Sequence, residues 1–269
     1  MLLLFLASAF NLMKKICKPA LFFVICLAIF IAINTPMALV LGRVKLPDNI
    51  IFYGVDGQLR SGQIDALYIN QLPLRNIRYQ ADLSCLLILH ICYQIDYQNG
   101  AARVSVNLLT NQTDINKLDV DYPLAALSPL MSQLLVKPTG RLNLQFDHIG
   151  INQNKIGPVQ GVVKWRGAGI QGEKFNLGDY QLDIVREDNR YQVKLTDQGA
   201  MLGIDGKGSL KPDGQYLLDI KIVPKSSLDA SVKSTLELVA KKQGLNQYNI
   251  QRQGQLPAPL LNRLAFSGN

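Results

Sequence analysis

The chain is poor in the side chains from which most catalytic and metal sites are built: two histidines, one tryptophan and four cysteines in 269 residues. It contains no Gly-x-Ser-x-Gly elbow, phosphate-binding loop or His-Glu-x-x-His pair. That removes the usual marks of a nucleophilic hydrolase, a nucleotide-binding enzyme and a zinc protease. His148 closes an alternating apolar set with Leu142, Leu144 and Phe146, and His90 lies inside the apolar run Leu86–Ile91, so both read as packed residues. Asp119 and Asp121 share a strand face, but with Lys117 nearby they read as a solvated surface, and Trp165 in Val162–Arg166 reads as core. The expectation is a non-enzyme with no catalytic residue, no metal and no cofactor.

Blocks of one charge are also missing. The formal net charge is +8, and three lysines without an acid lie in residues 1–41, so 25 basic residues face 20 acidic ones beyond them. Those charges alternate in sign, as in Lys117–Asp121 and Arg186–Arg190, and no basic stripe carries interleaved aromatics. A nucleic-acid partner is therefore not expected.

Long apolar runs are scarce too. One uncharged run, Pro19–Leu41, has no second of its length after it. At helical rise it measures roughly 35 Å, enough to cross a hydrocarbon core of about 30 Å with some tilt. Lys14, Lys15 and Lys18 precede it, which places that flank in the cytoplasm and the rest of the chain across the membrane. A cleaved signal peptide would have a shorter apolar stretch and a small-x-small cleavage site; the nearest candidate, Pro36-Met37-Ala38, has proline where a small residue is needed. The expected reading is an uncleaved single-pass anchor. Residues 1–12 are too short to span, and Met-Lys-Lys-Ile-Cys-Lys from Met13 is the usual charged lead-in to an exported segment, so Met13 reads as the true start. The expected organisation is a cytoplasmic start at 1–18, an anchor at 19–41, a β-rich domain at 42–256 and a tail at 257–269.

Beyond the anchor, period-two alternation dominates. Tyr180, Leu182 and Ile184 share one face, as do Tyr191, Val193 and Leu195, and again Tyr216, Leu218, Ile220 and Ile222. Strands with one apolar face read this way. Glu187–Arg190, Asp197-Gln198-Gly199 and Lys211-Pro212-Asp213-Gly214 carry turn chemistry, so residues 178–223 predict a four-stranded meander. Two stretches break the pattern: 123–135, a short helix or covering loop, and Ser227–Gln243, a helix with Leu228, Val232, Leu236 and Val239 on one face and Gly244 placed as its cap. Gly54–Leu59 echoes Gly157–Val162, which suggests two similar curved-sheet units. Gly54, Gly57 and Gly62, with Gly157, Gly161 and Gly167, mark candidate strand bends or partner contacts.

Cys17 and Cys26 fall in or beside the anchor, while Cys85 and Cys92 lie in the exported part. For the latter pair a disulfide, two buried thiols, and a metal site shared with His90 are all open, and the first suits an oxidising compartment. A bridge requires Cα atoms about 4.4–6.8 Å apart, whereas seven residues of strand would separate them by more than about 20 Å. A bridge therefore needs residues 85–90 to be helical or looped, despite their strand-like look.

In this order the features resemble the type II secretion system protein N family. Leu46-Pro47 leads through Gly54–Gly62 in a glycine-spaced opening, Gly161–Trp165 is similar to its glycine-to-tryptophan strand, and Gly206–Leu210 precedes Gly214–Tyr216. A closing helix, Gly244-Leu245 and Gln253-Gly254-Gln255-Leu256 complete the order. The chain departs from the family pattern at Ile77-Arg78-Tyr79, where tryptophan-x-leucine is common. The resemblance implies a mainly β protein: one transmembrane helix, then a curved antiparallel sheet in the periplasm with one or two short helices. It further implies a non-enzymatic inner-membrane subunit that supports export of folded proteins and contacts other inner-membrane subunits. A more distant similarity, to AsmA-like envelope proteins, implies an alternative in which an apolar β groove binds or transfers lipid.

Overall fold

A computed structural model describes residues 34–43, 50–69, 72–127, 137–152, 155–172, 176–187, 189–225, 228, 230–244 and 246–257, together with Phe23, Val24, Leu27, Phe30 and Ile31. The cytoplasmic start, part of the expected anchor and nearly all of the tail lie outside the described residues. No helix among the described residues is long and apolar enough to cross a membrane.

After a five-residue helix α1 (Met37–Leu41), the described residues form fourteen strands. They are β1 (Ile50–Gly57), β2 (Ser61–Ile69), β3 (Leu72–Asp82), β4 (His90–Tyr97), β5 (Gly100–Asn107), β6 (Thr113–Pro123) and β7 (Pro138–Asn152). Then come β8 (Lys155–Ile170), β9 (Asn176–Glu187), β10 (Arg190–Asp197), β11 (Leu202–Leu210) and β12 (Gln215–Pro224). Helix α2 (Ala230–Val239), β13 (Lys241–Lys242) and β14 (Tyr248–Gln255) close the order. All fourteen strands make one antiparallel sheet in which every strand from β1 to β12 pairs with its sequence neighbours; only the end departs, as β12-β14-β13. Short polar turns permit this, since tight connections favour adjacent antiparallel strands. At Lys211–Gly214, for example, Gly214 N–H donates to the Lys211 carbonyl at 3.0 Å and Gln215 N–H to Asp213 Oδ1 at 2.9 Å.

Register assembles the alternating faces into continuous rows. Gly100, Val120, Leu144, Val163, Leu182, Leu195, Gly206, Ile220 and Ile250 stand opposite one another across β5 to β12 and β14. One residue along, Asp121, Asn143, Lys164, Gln181, Thr196, Asp205, Lys221 and Asn249 form a polar row on the other face. The expected meander over 178–223 corresponds to β9–β12.

Bulges bend this sheet along lines that cross several strands. φ is positive at Gly54 and Asn76 in β1 and β3, and Lys117 is left-handed where the β5–β6 register shifts between Ala101 and Arg103. A further shift between Phe146 and His148 corrects one expectation. The extra residue rotates His148 off the face of Phe146, so it pairs opposite Asn116, and its Nδ1 lies 3.0 Å from Asn116 Oδ1. Alternation extrapolated through a bulge gives the wrong face.

The core is concentrated at the two ends and at one bend. Ile64, Ile77 and Tyr79 cluster near the start, where Met37 of α1 packs on them. Ala168, Tyr180 and Ala200 form a tight contact in the middle. At the other end Val232 and Leu236 from α2, with Ala240 just after it, pack on Leu202, Ile222 and Tyr248. This helix is shorter than the expected Ser227–Gln243, because Lys241 and Lys242 instead pair with β14. Gly244, with φ +79°, turns the chain into β14 rather than capping the helix. Of the expected helix or loop at 123–135, Leu124–Leu127 is a short 3-10 turn and Pro123 still belongs to β6; positions from 128 on lie outside the described residues.

Candidate functional site

The six glycines marked in the sequence fall into two places. Gly54, Gly57 and Gly62 lie on the edge hairpin β1–β2, where Gly57 pairs with Gly62. At Gly57 φ is +103°, and a Cβ there would meet the Gly62 backbone at 2.5 Å, so only glycine fits. Gly157, Gly161 and Gly167 lie on β8, an interior strand between β7 and β9; Gly161 and Gly167 fall within the stretch paired on both sides, and Gly157 is a buried position before the β9 ladder begins. The Gly157 carbonyl accepts from Tyr191 Oη at 2.8 Å, and Gly167 N–H donates to Asp179 Oδ1 at 2.7 Å. Gly161 lies directly under the Phe146 ring, which occupies the space a side chain would need.

The chain leaving the N-terminal helical segment docks on the turn of the same edge hairpin. Asn34 Nδ2 and Thr35 Oγ1 donate to the Phe30 and Ile31 carbonyls, closing the helical hydrogen bonds. Leu59 N–H then donates to the Thr35 carbonyl at 2.9 Å, and Pro36 makes an antiparallel bridge with Gln58. Two tyrosines brace the turn from β3 and β4: Tyr79 Oη donates to the Gln58 carbonyl and Tyr93 Oη to the Leu59 carbonyl, each at 3.0 Å.

Such pinning recurs across the apolar face. Tyr122 Oη donates to the Pro73 carbonyl at 3.0 Å, Trp165 Nε1 to the Thr139 carbonyl at 2.9 Å and Tyr180 Oη to the Leu177 carbonyl at 3.1 Å. Burial pushes the Tyr97 and Tyr180 hydroxyls up to about 12, and raises those of Tyr79, Tyr93, Tyr122 and Tyr191. They remain neutral donors at any physiological pH, which suits polar caps on apolar bodies. Between the end clusters the face is only half-buried: Val120, Leu144, Val163, Leu182 and Leu195 all keep some exposure.

Cys85 and Cys92 are joined by a disulfide with their Cα atoms 5.9 Å apart. Residues Leu83–Ile88 form a 3-10 turn started by Asp82, whose Oδ1 accepts from Ser84 N–H and Oγ at 3.1 and 2.6 Å. Those bonds hold the Asp82 carboxyl below the usual carboxylate range. The turn ends at Leu89 in a left-handed conformation, φ +57°. Sequence reading could not place this loop beside the edge hairpin, yet Ala81 N–H donates to the Arg60 carbonyl at 2.7 Å. No group of three or more possible metal ligands occurs among the described residues.

An open antiparallel meander with one apolar face and a docked N-terminal helical segment defines a β-sheet scaffold protein. The chain belongs to the type II secretion system protein N family, whose sequence model matches residues 49–251. Among characterised relatives it is 26% identical to type II secretion system protein N of Aeromonas hydrophila over 254 residues, covering 90% of this chain and 99% of the relative. It is 22% identical to the protein of the same name from Vibrio cholerae serotype O1 over 258 residues, covering 91% and 100%. No solved structure gives a significant match.

Proposed function

We propose that this chain is a non-enzymatic inner-membrane component of the type II secretion system, with its sheet in the periplasm supporting export of folded proteins. Family membership supports a part in that system. The observation that carries the mechanical reading is an open sheet with an unpaired outer strand. On its outer side β1 has no strand partner among the described residues, apart from the Pro36–Gln58 bridge at its end. Ile51 and Tyr53 on that strand are exposed. An edge of this kind, carrying apolar and aromatic residues and no lysine, is suited to accept an added strand from another subunit.

A photo-crosslinker at Ile51 or Tyr53 is expected to capture other inner-membrane subunits, and deletion of the gene to leave secreted enzymes in the periplasm. Normal secretion in the deletion strain with no such crosslinks defeats the reading.

The half-buried apolar rows favour a second reading, in which the face holds a lipid chain. Phospholipid that copurifies with the full chain, and is released when Leu144 and Leu182 are both replaced by asparagine, would support it. A protein free of lipid under mild extraction would remove it.

A further inference from the structure

In an antiparallel meander, every second connection lies at the same end of the sheet. The β1–β2 turn, the β3–β4 loop and the β5–β6 loop therefore share one end, and the N-terminal helical segment meets the sheet at that end through Thr35 and Leu59. Backbone hydrogen bonds run between neighbouring parts of this end: Ala81 N–H, near the end of β3, donates to the Arg60 carbonyl of the β1–β2 turn at 2.7 Å, and Leu108 N–H of the β5–β6 loop to the Leu89 carbonyl of the β3–β4 loop at 2.9 Å. Two strands separate each connection from the next, so the three span roughly 20 Å.

Both loops expose large aliphatic side chains where turns are normally polar. Leu87 is 88% exposed, Ile88 67% and Leu109 76%, with Leu89 and Leu108 also exposed. These residues do not belong to a loose loop. The disulfide and the Asp82 cap fix 83–89, and Asn107 Oδ1 accepts from Leu109 N–H at 2.8 Å and Thr110 N–H at 3.1 Å. At the opposite end the described connections carry Gln98-Asn99, Gln171-Gly172 and Gln198-Gly199, and the turn Leu124–Leu127, in which Leu124 is buried. There Leu238 on α2 is exposed, with Ile69 and Val223 more shallowly so. Rigid, adjoining aliphatic loops form a patch that calls for an apolar contact.

We propose that Leu87, Ile88, Leu89, Leu108 and Leu109 form a shallow second membrane contact that seats this end of the sheet in the headgroup–acyl boundary of the bilayer. This rests on the anchor reading above, and two observations favour lipid over a protein partner as occupant. The exposed apolar side chains Phe23, Val24, Leu27, Phe30 and Ile31 belong to the helical segment that enters the sheet at this same end. The segment is also pinned there by the hydrogen bond to Leu59, so whatever surrounds the helix lies close to the loops. A helix and two aliphatic loops together orient the sheet relative to the bilayer, which one flexible tether would not do.

The test uses the full chain in phosphatidylethanolamine–phosphatidylglycerol nanodiscs, with and without bromine on the acyl chains. Single tryptophans are added as Leu87→Trp, Leu109→Trp, Phe30→Trp and Leu238→Trp, and the signal of Trp165 is subtracted using the unmodified protein. The high exposure of Leu87 and Leu109 leaves room for the larger ring, and the two loops report independently should one variant fail to fold. Bromine is expected to quench L87W and L109W at least about two-fold more than L238W, since side chains at an interfacial contact lie within reach of the acyl region. Quenching of F30W alone, with L87W and L109W matching L238W, overturns the proposal while leaving the anchor intact. Quenching of L87W and L109W without F30W supports the loop contact and removes the anchor reading instead. Quenching of none of the three overturns both.

Discussion

At the residue scale, three side-chain arrangements make separate predictions. The Cys85–Cys92 bridge closes a short loop, and its loss is expected to cost about 2–3 kcal/mol, mainly by freeing the unfolded chain. C85S/C92S should therefore melt about 5–10 °C lower in a thermal scan, while secretion persists, because neither cysteine contacts the edge strand. Asp197 accepts from Gly199 N–H at 3.2 Å and from Ile204 N–H at 3.2 Å, and pairs with Lys225. The Lys225 hydrogen bond, followed by the backbone donors, holds its carboxyl below the usual range. A depressed carboxylate contributes stability above its unfolded value and loses it as pH falls through the folded one. D197N should thus be destabilised by roughly 1 kcal/mol near pH 7, allowing for the half-exposed lysine, and that deficit should shrink steadily once the pH drops below about 4. Denaturant melts at several pH values check this, and a deficit that does not change with pH would sink the electrostatic explanation. Gly57→Ala forces a Cβ against the Gly62 backbone at a positive φ and is expected to cost about 1–3 kcal/mol, read in the same melts.

At the element scale, α2 does for the last strands what α1 does for the first: it covers part of an apolar face that would otherwise be open. Val232, Leu236 and Ala240 recur every four residues, and all three are buried. Leu236→Ala is expected to lower stability by about 2–3 kcal/mol. Hydrogen exchange should show the loss concentrated in β12 and β14, which α2 packs against, with β4–β6 little changed, because a sequential meander transmits strain mainly between neighbours. Equal acceleration throughout would mean that the sheet opens as one unit. The edge hairpin is the counterpart at the other end, where its turn is held by two tyrosine hydroxyls and by the Thr35 carbonyl accepting from Leu59 N–H.

At the scale of the whole molecule, the proposed arrangement joins a membrane helix, a rigid seat and an open sheet. If the anchor is uncleaved, the chain stays in the membrane pellet after a carbonate wash, and mass spectrometry finds a mature N-terminus upstream of residue 19. A soluble protein beginning near Leu39 would refute that arrangement.

Period-two alternation, turn chemistry and the amphipathic Ser227–Gln243 stretch were enough to read an antiparallel, mainly β chain with a late helix. These are local properties: each depends on residues within about ten positions of one another. The order of glycine-marked segments was enough to point to the family, though no single motif was. Three things depended on the tertiary structure. His148 leaves the apolar face because a bulge inserts a residue, and a period of two carries no information across a bulge. Gly161 and Gly167 are interior because β8 is paired on both sides around them, and strand order is a long-range fact that alternation cannot encode. Residues 83–88 look like a strand by composition, yet they turn, with Asp82 capping the start, Leu89 adopting a left-handed conformation and the disulfide closing the loop. The meeting of Thr35 with Leu59 and of Leu89 with Leu108 at one end of the sheet arises only when alternating strand directions and register are both set, because each bond joins residues brought together by the intervening hairpins.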